Sequence, residues 1–134
     1  MIRKVKQFRT VLRFILAALF LVVAGGIGFR FLQPGAPPLE AQEFLISLTS
    51  AGYIWPVMSL LFFAASVLLC FRRTIGVALL LPIPLFANFS LYHIFLDPSI
   101  MNAWRGLLVM CLHIACIVLY KDRFRSLICR SDKG

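Results

Sequence analysis

The stretch that decides the fold runs from residue 53 to residue 96 and reads YIWPVMSLLFFAASVLLCFRRTIGVALLLPIPLFANFSLYHIFL. It consists of two apolar segments, 53–71 and 75–96, joined by the basic turn Arg72-Arg73-Thr74. A helix that crosses the hydrocarbon core of a bilayer needs about 20 apolar residues. Because the connection between the two segments is so short, we predict an antiparallel pair of membrane-spanning helices.

Two more apolar segments, at about 11–31 and 101–120, lie outside this pair. Hydrophobic residues make up 61% of the chain and charged residues 14%, whereas a soluble domain carries about 25% charged residues. Four spans of this length account for most of the 134 residues. We therefore predict an all-α membrane protein in which residues 1–134 form a single domain, an antiparallel bundle of four transmembrane helices.

The distribution of basic residues predicts the orientation of the four spans. Of the 14 Lys and Arg residues, 12 lie before or at the edge of the first span, between the second and third, or after the fourth. Only Arg30 and Arg105 lie on the opposite side. Since cytoplasmic segments of membrane proteins retain Lys and Arg, both termini are predicted in the cytoplasm, with the protein in the bacterial inner membrane.

The net charge of +9 has two explanations. In a soluble protein a strongly basic balance indicates nucleic-acid binding. Here the basic residues lie next to the membrane, where attraction to anionic lipid headgroups accounts for them. We therefore predict that this basic face anchors the protein to its partner, the lipid bilayer. We also predict that the protein binds no nucleic acid.

A short amphipathic helix is predicted at about 39–51, between the first two spans. Its apolar residues recur with helical spacing, at Ala41, Phe44, Leu45 and Leu48. Ile46 breaks this pattern. The segment is too short to cross a bilayer, so we expect it to lie on the outer interface and to end at Gly52.

Polar residues near the end of the third span are candidates for chemistry, because ionisable groups inside a membrane are costly and mark functional sites. His93 and Asp97 lie four residues apart, on one helix face. With Arg105 across the outer loop they are the catalytic candidates, as a proton relay in which the carboxylate orients the imidazole. In the structural alternative, Asp97 is the N-cap of the turn that enters the fourth span, with Pro98 after it.

Pro82 and Pro84 predict a kink in the third span, since proline frees backbone carbonyls that need partners in lipid. The Asn88 side chain is a candidate for that structural role. Asn88 is also a candidate for ligand binding on the outer side of the protein, as are Tyr92, His93 and Arg30.

His113 lies between Cys111 and Cys116 in the fourth span, a combination of residue types that metal sites use. Ligands must converge on one point, whereas positions 111 and 113 face nearly opposite ways on a helix. We therefore predict no metal site, and we expect His113 to be a hydrogen-bonded core residue.

Residues 88–98 read NFSLYHIFLDP, which resembles the N-x-x-x-x-H-x-F-L-D-P stretch of the DoxX-like family of small four-helix membrane proteins. Residues 25–31, GGIGFRF, resemble the family's glycine-rich exit from helix one, where a basic residue, here Arg30, follows the glycines. Residues 38–45 and 52–56 are similar to its outer loop and to the start of helix two. The resemblance extends over about residues 12–125.

The resemblance implies the four-helix fold and a link to membrane oxidoreductases, including a thiosulfate:quinone oxidoreductase, and to redox-stress complexes. One departure concerns helix two, where the family often carries a glutamate followed by paired small residues. Residues 62–66 read FFAAS and contain no acid. If that carboxylate does the chemistry in relatives, this chain lacks it.

Three functions are compatible with these features. The first is a non-catalytic accessory or assembly subunit that holds a membrane redox partner protein, or a hydrophobic molecule such as a quinone, near the outer end of the third span. The second is an active quinone- or proton-coupled redox component that uses His93, Asp97 and Arg105. The third is a small transporter subunit that works as a homo-oligomer through Ala24 and Gly28, whose spacing lets helices approach closely.

Overall fold

The computed structural model describes residues 2–25 and 36–128, with side chains in those ranges from residue 3 to residue 124. Over these residues the chain is helical and contains no strand. The helices are α1 (Ile2–Ala24), α2 (Leu39–Ser50), α3 (Ile54–Cys70), α4 (Ile75–Leu80), α5 (Ile83–Phe95), α6 (Ile100–Leu119) and α7 (Lys121–Ile128).

Three helical segments are long and apolar enough to cross a membrane: Arg3–Ala24, Ile75–Phe95 and Ile100–Leu119. A fourth is obtained if α2 and α3, which are bent by 83° relative to each other, are counted as one broken span. Alone, α3 has 17 residues, at the lower limit for crossing a bilayer core. The prediction of an all-α chain with helices long and apolar enough to cross a membrane is thereby confirmed for the described residues.

The first helix begins earlier than the sequence pattern predicted. We expected the first span at about 11–31, whereas α1 begins at Ile2 and includes the basic segment before the apolar one. Lys, Arg and Gln are good helix formers, so the helix continues past the end of the apolar run. Its described part ends at Ala24; the rest of the predicted span, with Arg30, lies outside the described residues.

One apolar core is shared by α1, α3, α4, α5 and α6. Its fully buried side chains include Leu16, Phe20, Leu69, Ile75 and Leu79. The main partner of α1 is α3, where the Ser66 hydroxyl donates a hydrogen bond of 2.7 Å to the Ala17 carbonyl. A side-chain hydrogen bond between helices in a membrane contributes about 0.6 kcal/mol, so packing supplies most of the stability.

The predicted kink in the third span is a break between α4 and α5, at Leu81 and the buried Pro82. The break frees the carbonyl of Leu79, which lies 2.8 Å from His113 Nε2 on α6. Since a carbonyl oxygen only accepts, Nε2 must carry the hydrogen. His113 is 2% exposed and is a hydrogen-bonded core residue, as the sequence indicated.

A sharp corner joins α2 to α3. Gly52 has a φ of +73°, a left-handed conformation that glycine adopts without steric cost, and α2 ends just before it at Ser50. The corner is held from the other side by the Trp55 indole, which donates a hydrogen bond of 3.0 Å to the Thr49 hydroxyl. Termination at Gly52 is therefore confirmed, and the short helix runs nearly perpendicular to α3.

Candidate ligand-binding cavity

An apolar cavity of about 90 Å³ lies beneath α2 and is partly open to the surroundings. Its wall is formed by α2, α3, α5 and α6, with one residue from the end of α1. The lining residues are Val23, Phe44, Leu45, Leu48, Ile54, Trp55, Met58, Phe62, Leu85, Phe86, Asn88, Phe89, Tyr92, Gly106 and Val109. The predicted apolar face of α2 thus covers a space inside the protein.

The size of the cavity limits what it can hold. An apolar protein cavity of roughly 150 Å³ accepts a benzene ring, and pockets for drug-sized ligands reach several hundred cubic ångströms. At about 90 Å³, the enclosed part accepts a narrow group, such as a hydrocarbon chain or the edge of a ring. The remainder of a larger ligand must extend through the open side.

Tyr92 is one of the residues with a polar group that line the cavity. It is 8% exposed, and its buried hydroxyl has no hydrogen-bond partner among the described residues. The ring centre lies 6.0 Å from that of Phe44 on α2 and 5.0 Å from that of His93. An unpaired buried hydroxyl costs about 1–3 kcal/mol, so a ligand that supplies an acceptor is favoured at this position.

Asn88 lies one helical turn before Tyr92 and also lines the cavity. Its side chain makes no hydrogen bond to a described residue, so the expectation that it satisfies the carbonyls freed by the prolines is wrong. His113 bonds the freed carbonyl of Leu79, because it projects from the neighbouring helix at that depth. The structure therefore brings two of the four predicted ligand-binding residues, Asn88 and Tyr92, to one cavity.

His93 lies behind the cavity wall, with its ring centre 4.4 Å from that of Phe89. Its Nδ1 is 3.0 Å from the backbone carbonyl of Asp97 and must donate to it. We expected the imidazole to contact the Asp97 carboxylate; in the structure it contacts the main chain instead, because the helix ends there. His93 Nε2 is buried without a hydrogen-bond partner among the described residues.

The Asp97 carboxylate is 2% exposed and has two partners at the start of α6. It accepts a hydrogen bond of 2.9 Å from the Asn102 side chain and one of 3.4 Å from the Ser99 backbone N–H. The N-cap of α6 is Ser99 rather than Asp97. Asp97 lies two residues before the N-cap and holds the start of α6 through its contacts with Ser99 and Asn102.

Of the two basic candidate residues, the structure describes Arg105 but not Arg30. The Arg105 guanidinium carbon lies 5.2 Å from the centre of the Trp104 ring, near the start of α6. The pairing of Arg105 with Asp97 stays a prediction. Arg30 lies outside the described residues, as does Gly28 of the predicted homo-oligomer contact.

Gly106 contributes to the site in a way that the sequence did not reveal. A Cβ atom at this position would overlap the ring of Phe89, so only glycine lets α5 and α6 approach this closely. The aromatic ring fills the space and forms part of the cavity wall. The available signal was the one glycine within the predicted fourth span.

The fold and the cavity define an all-helical chain with apolar helices of membrane-spanning length and an internal apolar site beneath a short crossing helix. The chain matches no protein-family model, no curated protein and no solved structure. The DoxX-like resemblance stays a prediction that rests on the short motifs quoted above.

Proposed function

We propose that the chain is a DoxX-like integral protein of the bacterial inner membrane, a bundle of four antiparallel spans with both termini in the cytoplasm. The three candidate spans and α3 supply the four helices, and the basic residues supply the orientation. The corner of 83° fits an α2 that lies along the outer interface while α3 crosses the bilayer.

Within that fold, the protein acts as a non-catalytic accessory or assembly subunit that binds a hydrophobic small molecule. The observation that carries this proposal is a largely apolar cavity whose lining includes Asn88 and Tyr92, the latter with an unpaired buried hydroxyl. Ligand sites combine apolar walls with a few polar groups that orient the ligand. The link to membrane redox systems rests on the resemblance alone.

A quinone is the ligand class that fits this arrangement. Its carbonyl oxygen accepts a hydrogen bond from Tyr92, and its ring edge or chain is narrow enough for the enclosed part of the cavity. The rest of the molecule extends through the open side. The Asn88 amide, which is exposed and lines the cavity, offers a donor to a second oxygen.

The test follows the fluorescence of Trp55, which lines the cavity, in a Trp104→Phe background during titration with a short-chain quinone. Tyr92→Phe removes the hydroxyl and keeps the ring, so the half-saturating concentration is expected to rise about three- to tenfold. The matched control is Tyr53→Phe, whose side chain is 66% exposed and does not line the cavity. It should bind like the parent protein.

A parent protein that shows no saturable quenching would contradict the proposal. Equal binding by Tyr92→Phe and Tyr53→Phe would contradict the role of the hydroxyl. Pull-down of the full chain in mild detergent, with mass spectrometry of proteins and lipids, tests the accessory role. Recovery of the chain without any other protein and without a bound small molecule would argue against the accessory role.

The active redox component is the second candidate, and the buried, unpartnered Nε2 of His93 favours it. That nitrogen is a proton acceptor one residue from Tyr92. If the protein is itself catalytic, the purified chain reduces quinone to quinol with electrons from an added donor such as thiosulfate and without a partner protein, and His93→Gln or Asp97→Asn abolishes turnover. The transporter alternative depends on Ala24 and Gly28, and the structure packs Ala24 against the protein's own core.

A further inference from the structure

A second cavity, of about 310 Å³, lies at the other end of α1 from the apolar one. It is formed by the first half of α1, the turn between α3 and α4, and the junction of α6 with α7. Five of its eight lining residues are basic: Lys6, Arg9, Arg13, Arg72 and Arg123. No acidic residue from the described part of the chain lines it.

Arg13 distinguishes this cavity from an ordinary basic surface. Its side chain is 5% exposed, and it donates no hydrogen bond to any described residue. Its Nε is buried without a partner, and its guanidinium carbon lies 4.7 Å from the centre of the Phe14 ring. Burial of a charge is costly unless an opposite charge accompanies it, so Arg13 favours an anion in this cavity.

The wall of the cavity is held in place by packing between α1 and the end of α6. The Tyr120 hydroxyl donates a hydrogen bond of 3.0 Å to the Arg9 carbonyl. The Arg9 guanidinium carbon lies 4.6 Å from the centre of the Tyr120 ring, and Tyr120 is 7% exposed. The contact between Tyr120 and Arg9 therefore holds the first half of α1 against the end of α6 at this cavity.

We propose that this basic cavity binds the phosphate group of an anionic molecule, with the headgroup of an anionic lipid as its source. Guanidinium groups match phosphate oxygens in geometry and form strong charge-assisted hydrogen bonds. Because α1 and α6 are long enough to cross a bilayer, the cavity at their ends lies at headgroup depth. Basic pockets between membrane helices bind lipid phosphates in this way.

This proposal is independent of the quinone site and of the orientation of the protein. It replaces the expectation of a diffuse basic anchor with a defined site. If anions bind to a diffuse basic surface, removal of any one charge lowers the affinity by about the same amount. If they bind to a defined site, removal of a charge that lines the site lowers the affinity most. That difference makes matched single-charge variants informative.

The experiment measures the thermal unfolding midpoint of the full chain in neutral detergent against increasing phosphatidylglycerol, phosphatidylcholine or inorganic phosphate. Arg13→Gln is compared with Lys4→Gln, which removes one charge from the same helix outside the cavity. Arg72→Gln is compared with Arg73→Gln in the exposed turn, so that the test stands even if Arg13→Gln does not fold.

Phosphatidylglycerol, but not phosphatidylcholine, is expected to raise the midpoint of the parent protein, Lys4→Gln and Arg73→Gln. The half-saturating concentration should rise about tenfold in Arg13→Gln and severalfold in Arg72→Gln. Equal stabilisation by inorganic phosphate, with the same dependence on the variants, would support the site and identify free phosphate as its source. Matched variants that respond alike, or no response to either phosphate, would overturn the proposal.

Discussion

At the scale of single residues, the buried polar groups divide into those with a partner in the described structure and those without. His113, Asp97 and Ser66 each have a hydrogen-bond partner. The Tyr92 hydroxyl and the Arg13 Nε have none among the described residues. Unpaired polar groups are costly in apolar surroundings, and for that reason both proposed sites are centred on them.

Replacement of His113 with leucine is expected to lower the thermal stability of the protein in detergent. The Leu79 carbonyl would lose its donor and stay buried, which costs about 1–3 kcal/mol. The control is Ile114→Ala on the same helix, where the side chain is 50% exposed and the effect should be small. Equal losses in the two variants would show that the His113 hydrogen bond contributes little.

At the scale of elements, the short helix α2 determines whether the apolar cavity exists. Phe44, Leu45 and Leu48 form one side of the cavity, and only the corner at Gly52 places them over α3 and α5. The hydrogen bond between Trp55 and Thr49 closes the same corner. A change in the angle between α2 and α3 therefore changes the shape of the cavity without changing Asn88 or Tyr92.

Gly52→Ala is expected to destabilise the corner by about 1–2 kcal/mol, because a Cβ is unfavourable at a φ of +73°. No atom lies within 4 Å of that Cβ, so the penalty comes from the backbone conformation and not from a clash. Gly52→Asn should be milder, since asparagine tolerates this conformation. Thermal unfolding and quinone binding by Trp55 fluorescence measure both effects, and equal results for Ala and Asn would contradict this explanation.

At the scale of the whole molecule, the proposed sites lie at opposite ends of α1. The apolar cavity includes Val23, near the end of that helix. The basic cavity includes Lys6 and Arg9, in its first half, and Arg13 at its middle. If α1 crosses the membrane, the two sites face opposite sides of the bilayer. With the proposed orientation, the proposed quinone site lies on the outer side and the proposed phosphate site on the cytoplasmic side.

Cysteine labelling tests this arrangement in a variant whose own cysteines are replaced by alanine. A membrane-impermeant maleimide is expected to label Glu43→Cys, on α2, in intact cells. Gln7→Cys, at the start of α1, should react only after the cells are opened. Both original side chains are exposed. Labelling of Gln7→Cys in intact cells would show that the proposed orientation is reversed.

Much of the helical framework was predictable because its causes are local. Apolar runs of membrane-spanning length predicted the helices, Pro82 predicted the break between α4 and α5, and Gly52 predicted the end of α2. The start of α1 was misplaced because charged residues that lie outside an apolar run can still be helical. Of the residues that line the apolar cavity, Tyr92 and Asn88 were candidates for ligand binding because of their place near the end of the third span.

The sequence by itself determined the helical class, the break, the corner and the one-sided distribution of charge, since each depends on residues within a few positions of one another. Only the tertiary structure decided that His113 bonds Leu79, that Gly106 admits Phe89, and that Arg13 and Arg72 line one cavity. These pairs are distant in sequence, and whether they meet depends on the rotation and depth of each helix. Packing of the whole core sets those two quantities, so no local pattern encodes them.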